Sequence, residues 1–131
     1  MKVSFDFDHT LSRPQVQEYA RELIERGIEV WIVTSRFGDI KKYKDFFDTI
    51  VFIKLNHDDL WEVVKDLGIP KERVIFMNME PKENYLKDKG FAWHLDDDWG
   101  VLMPIQKIAK IPAINANNAA FKHKCDRILN K

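Results

Sequence analysis

Ile28-Glu29-Val30-Trp31-Ile32-Val33 runs almost unbroken in apolar side chains and stops at the polar Thr34-Ser35-Arg36. A strand covered on one face only would alternate, so a run of this kind predicts a strand buried on both faces of a parallel sheet. Upstream, Val16, Tyr19, Ala20, Leu23 and Ile24 recur at helical spacing, opened by Ser12-Arg13-Pro14-Gln15 and closed by Gly27. Before that helix, Val3, Phe5 and Phe7 alternate with Ser4, Asp6 and Asp8 as a first strand. The opening third of the chain therefore reads as strand, helix, strand.

The same cycle continues downstream. Ile40, Tyr43, Phe46 and Phe47 predict a short helix, and Ile50-Val51-Phe52-Ile53 a short strand. Leu60, Val63, Val64 and Leu67 mark a helix stopped by Gly68 and Pro70, and Val74-Ile75-Phe76-Met77 a further strand. Residues 82–89 read as a brief helix ending near Gly90, and Phe91-Ala92-Trp93-His94-Leu95 as a strand running into Asp96-Asp97-Asp98. This alternation predicts an α/β fold: a three-layer sandwich with a mainly parallel, Rossmann-like sheet and helices on both faces. Ligands in such sheets bind at the C-terminal ends of the strands.

With 131 residues, 45% apolar and 32% charged side chains, the chain is expected to form one domain over 1–131 with a sizeable core. Basic and acidic side chains balance at 21 each, so no global field draws it to nucleic acid or an anionic membrane. The balance is uneven locally. From Pro104 onward Lys107, Lys110, Lys122, Lys124, Arg127 and Lys131 stand against Asp126 alone, a basic tail expected to end in a helix around 117–129 that packs Phe121, Cys125 and Leu129. The single cysteine excludes an internal disulfide and makes structural zinc an unsuitable expectation. Two acids interrupt the N-terminal apolar run, and no stretch approaches the ~20 apolar residues of a membrane span. A cytoplasmic protein without a leader is expected.

Asp6 and Asp8, two residues apart on a strand, are expected to share a face at its C-terminal end. Two carboxylates that close favour a bound hard metal, a retained proton, or both. Asp96-Asp97-Asp98 adds oxygen donors at a second strand end, a donor set suited to Mg²⁺. Thr34 and Ser35 end the apolar run beside Phe37-Gly38, and Lys82 opens a helix, so hydroxyl, ammonium and helix N-terminus predict a phosphate clamp. Lys87 and Lys89 are rivals that lie farther from the helix start.

Several side chains have plainer readings. His57-Asp58-Asp59 suits the first turn of a helix, His94 a packed or hydrogen-bonded strand position, His9 a loop, and Asp98 a cap. Trp99 is expected to pack or rim the acidic end rather than stack on a base.

Phe5-Asp6-Phe7-Asp8-His9-Thr10-Leu11 resembles the first motif of the haloacid dehalogenase-like (HAD) superfamily. Ile32-Val33-Thr34-Ser35 looks like its second motif, Lys82 like its third and Leu95-Asp96-Asp97 like its fourth, in the family's order. The resemblance implies a HAD-like sheet and a Mg²⁺-dependent phosphatase, a phosphoric monoester hydrolase in which Asp6 attacks phosphorus and Asp8 is acid and base. It also implies that Asp6, the Asp8 backbone carbonyl and Asp97, assisted by Asp96, hold Mg²⁺, while Thr34 and Lys82 steady the phosphoryl oxygens. Between Leu11 and Ile28 there is room for one helix only, so a capless member with an open site is expected. Its expected partner is a phosphorylated substrate, with a nucleotide or nucleic-acid end as one alternative and a non-catalytic phosphate- or partner-binding module as another.

Overall fold

The computed structural model describes residues 1–38 and 56–130. Among these, five strands form one all-parallel sheet: β1 (Lys2–Phe5), β2 (Glu29–Thr34), β3 (Val74–Phe76), β4 (Phe91–Asp96) and β5 (Ala113–Asn115). Their order is β3-β2-β1-β4-β5. The chain builds outward from β1 through β2 to β3, then returns to the other side of β1 for β4 and β5. The strand order thus reverses between β1 and β4, where doubly wound sheets open a crevice.

Helices α1 (Pro14–Glu25), α2 (Asp58–Leu67) and α5 (Phe121–Leu129) cover one face. The short α3 (Glu83–Leu86) and α4 (Trp99–Pro104) cover the other, so the expected three-layer α/β sandwich is the observed architecture. Alternation along the strands supplies both cores. Val3, Phe5, Ile32, Trp93 and Leu95 point into the larger, where Trp93 meets Phe5 edge-on at 5.3 Å and stacks near Tyr19 at 6.4 Å between ring centroids. Val33, Phe91 and Ala113 face the smaller core with Leu86, Leu102 and Ile105. Both long helices end as their sequences require. At Gly68, φ is +74°, and the amides of Gly68 and Ile69 bond back to the carbonyls of Lys65 and Val64, a turn that closes the helix and is cheapest for glycine.

Several expectations need correction. β1 stops at Phe5, so Asp6 and Asp8 do not share a strand face. Beyond it, Phe7–Leu11 winds into a tight turn in which the amides of Leu11 and Ser12 reach back five residues to the carbonyls of Asp6 and Phe7, with His9 left-handed at φ +59°. The 82–89 helix is only Glu83–Leu86, because Lys87 is extended and Asp88 and Gly90 take positive φ. The terminal helix starts at Phe121 rather than 117. The side chains of Asn115 and Asn118 accept from the amides of Asn117 and Ala120, holding those residues in turns. Strand β5 and helix α4 arise within and just before the stretch read as a basic tail, whose Phe121, Cys125 and Leu129 are buried as expected. The helix expected around Ile40–Phe47 and the strand Ile50–Ile53 lie outside the described residues.

Candidate functional site

The β1–β4 register pairs Ser4 with His94 and Phe5 with Leu95, and continues as the Asp6 amide donates to the Leu95 carbonyl at 2.8 Å. Asp6 and Asp96 are therefore carried side by side to the C-terminal edge at the point of strand reversal. Lys82 arrives from the start of α3, and its ammonium lies 2.8 Å from Asp6 Oδ1 and 2.7 Å from Asp96 Oδ2. All three side chains are buried or nearly so. Thr10 completes the cluster: its Oγ1 is 3.4 Å from both Asp6 Oδ2 and Asp97 Oδ1. Carboxylate oxygens of Asp6, Asp96 and Asp97 lie within 4.8 Å of one another.

Burial and charge pull these groups apart electrostatically. Burial pushes the Asp6 carboxyl well above its ordinary range, Lys82 opposes that, and Asp96 adds to it. Burial would also raise Asp96, but hydrogen bonding from His94 and the charge of Lys82 hold it below the usual carboxylate range. Burial works against the Lys82 ammonium, yet Asp6 and Asp96 keep its pKa raised. His94 is fully buried, and that burial and the charge of Lys82 lower its pKa against the opposing pull of Asp96.

Other expected site residues are placed differently. Asp8 is gripped by Arg36, with Nη2 2.7 Å from Oδ1 and Nε 3.0 Å from Oδ2. The same guanidinium makes two 2.9 Å bonds to Asp59 at the start of α2 and lies 5.0 Å over the Phe7 ring. Asp59 and Asp8 hold the Arg36 pKa above its ordinary value. The Thr34 hydroxyl is buried and accepts from the Arg36 amide at 3.3 Å, so it braces its own loop. Ser35 and Lys82 line a groove of about 390 Å³ with Met79, Asp98, Val101 and Pro104. Asp98 caps α4 through the Gly100 amide at 2.8 Å, as its plainer reading predicts. Trp99 is 59% exposed at the rim. His57 contacts Arg36 and the Phe37 carbonyl, a structural role at the head of α2.

Sequence reasoning missed Arg36 and undervalued Thr10. The signal for Thr10 was its place four residues after Asp6, one turn away if the chain curls. For Arg36 it was a lone guanidinium directly after a strand end, close to acids that needed a counter-charge.

The fold and site define a doubly wound α/β protein with an acid-lysine cluster at its switch point. Curated relatives are 3-isopropylmalate dehydratase small subunits from Campylobacter jejuni subsp. doylei and Campylobacter jejuni subsp. jejuni, 26% identical over 108 residues. The alignment covers 76% of this chain and 54% of each relative, so the chain spans about half the length of the curated relatives it matches. No family model matches the chain. These relatives are named for a dehydratase subunit, not a phosphatase, and this corrects the expectation of a HAD-like phosphoric monoester hydrolase and the hydrolase roles attached to it. Among the described residues no helix is long and apolar enough to cross a membrane.

Proposed function

We propose that this chain binds a hard divalent cation, Mg²⁺ by the nature of its donors, at the Asp6, Asp96 and Asp97 cluster, and beside it a small carboxylate ligand. One observation carries the reading: at a largely buried strand edge Asp6 and Asp96 share the one ammonium of Lys82, and a third carboxylate, Asp97, brings an oxygen within 4.8 Å of theirs. Uncompensated buried charge is costly, and an all-oxygen site with excess negative charge is matched by a hard cation. When bound, the cation would act as a Lewis acid toward a ligand oxygen.

The chain's own residues supply the rest. Lys82 keeps its positive charge between Asp6 and Asp96 and also lines the neighbouring groove, which Ser35 shares with the acids Glu80, Glu83 and Asp98. Thr10 ties Asp6 to Asp97, which keeps these two carboxylates together. The carboxylate class of the ligand is supported by the name of the relatives, since 3-isopropylmalate carries two carboxylates, and by the fit of an oxyanion to an ammonium beside a cation. A reducing, cytoplasmic setting is supported by a single cysteine, Cys125, buried against the sheet with its thiol pKa pushed up by that burial.

Calorimetric titration with Mg²⁺, followed by 3-isopropylmalate, malate and inorganic phosphate in turn, tests the reading. Binding of a carboxylate that requires Mg²⁺ and weakens in Lys82→Met supports it. Phosphate binding with no carboxylate binding would overturn the ligand class, and ligand binding indifferent to Mg²⁺ would overturn the cation.

A further inference from the structure

Asp96 has no acceptor capacity left. Its Oδ1 accepts from the amides of Asp97 at 2.9 Å and Asp98 at 3.3 Å, and its Oδ2 accepts from Lys82 at 2.7 Å and His94 Nε2 at 3.0 Å. An ionised carboxylate offers about four lone-pair sites, and here all of them are engaged. Asp6 and Asp97 are differently placed. Asp6 Oδ2 and Asp97 Oδ1 share a single hydroxyl donor, Thr10, at the long distance of 3.4 Å.

Behind Asp96 the chain of bonds continues into the sheet. His94 Nδ1 lies 2.8 Å from Ser4 Oγ, both side chains are fully buried, and they are register partners on neighbouring strands. A neutral ring that donates from Nε2 to a carboxylate must accept at Nδ1, and the Ser4 hydroxyl, whose other acceptor is the Trp93 carbonyl at the longer 3.5 Å, is the partner that can donate there. Two polar side chains buried this completely are costly unless they are satisfied. They satisfy one another and end on Asp96.

We infer that Ser4 and His94 are positioning residues that lock Asp96 as the anchor of Lys82 and of the Asp97 loop, leaving Asp6 and Asp97, not Asp96, to meet the cation. The inference rests on the proposed cation site for its functional consequence. Its structural half, the tautomer and the saturated carboxylate, stands apart from any ion.

The test has two parts. Nitrogen NMR of the cation-free protein is expected to show His94 protonated at Nε2 and not at Nδ1, a preference that weakens in Ser4→Ala. Calorimetric titration with Mn²⁺ is expected to show His94→Leu binding about tenfold more weakly than wild type, the usual scale for removing an outer hydrogen-bond partner of a metal site. His94→Gln, which retains an N–H donor, is expected to recover most of that loss, a recovery that mere packing would not produce. A proton on His94 Nδ1, or wild-type Mn²⁺ affinity in His94→Leu with its fold intact by circular dichroism, would overturn the inference. A wild-type protein that keeps the Nε2 proton yet fails to take up Mn²⁺ would remove the cation site and support the anchoring of Asp96.

Discussion

Asp6 and Asp96 stand side by side at the ends of the two central strands and share one ammonium, that of Lys82, at 2.8 and 2.7 Å. Neither acid is comfortable without it, and the pair pulls in opposite directions: burial raises Asp6, while hydrogen bonding holds Asp96 down. Removing the shared charge by Lys82→Met is expected to destabilise the cation-free protein by about 3–5 kcal/mol, the usual cost of leaving buried charge unpaired. Added Mg²⁺ should return part of that loss. Thermal melts of the variant with and without Mg²⁺ measure it.

The raised pKa of Asp6 has a defined sign. A carboxyl whose folded pKa exceeds its unfolded value binds more protons in the folded state, so its contribution to stability is present at low pH and lost as pH rises through the folded pKa. The cation competes with that proton, so Mg²⁺ affinity should increase as pH rises through the same range, with proton release on binding. Calorimetry in buffers of different ionisation enthalpy measures the release. Mg²⁺ affinity that is flat with pH, with no proton released, would contradict the assignment of Asp6.

Asp8 and Arg36 differ in how much of the fold they hold. The Asp8 side chain is half exposed, so Asp8→Asn should cost under about 1 kcal/mol. Arg36 joins three segments through Asp8, Asp59 and the Phe7 ring, and Arg36→Ala should cost about 1–3 kcal/mol because it also leaves Asp59 without that partner. Urea midpoints of the two variants give the comparison.

Met79 follows Asn78 in a turn where both residues take positive φ, at +65° and +53°, and its amide donates to the Ser35 carbonyl at 2.8 Å. The side chain is 69% exposed, so little packing is lost on its removal. Met79→Gly should therefore raise stability by up to about 1 kcal/mol, because glycine relieves the left-handed strain at a modest entropic cost. A lower melting temperature in that variant would show that the methionine side chain makes contacts worth more than the strain.

Much of this layout was legible in the chain. The unbroken run to Val33, the stripe from Val16 to Ile24 and the acids after Leu95 placed β2, α1 and the end of β4, and through them Asp6, Lys82, Asp96 and Asp97 at one edge. Asp8 was misread because alternation was carried past Phe5, where the chain leaves the sheet for a turn with a left-handed His9. His94 was read as a packed or hydrogen-bonded strand residue, and it is one, but its partner Ser4 escaped notice for a related reason. A serine in an alternating strand looks solvated, and only the partner strand shows that it faces His94 in a closed layer. Strand β5 is three residues long, just after Pro112, too short for periodicity to reveal. The motif resemblance led to a phosphatase, while the relatives found by comparison carry a different name, so the pattern of acids located a site without naming its reaction.

The central claim is that the acid cluster is a cation site in which Asp97 ligates and Asp96 anchors. Calorimetric titration of Mg²⁺ into the wild-type chain and into Asp97→Asn tests it most directly. The account predicts one cation per chain for the wild type and a loss of at least about tenfold in affinity for Asp97→Asn, with melting of the cation-free variant close to that of the wild type. No saturable Mg²⁺ binding by the wild-type protein, or equal affinity in the two proteins, would contradict it.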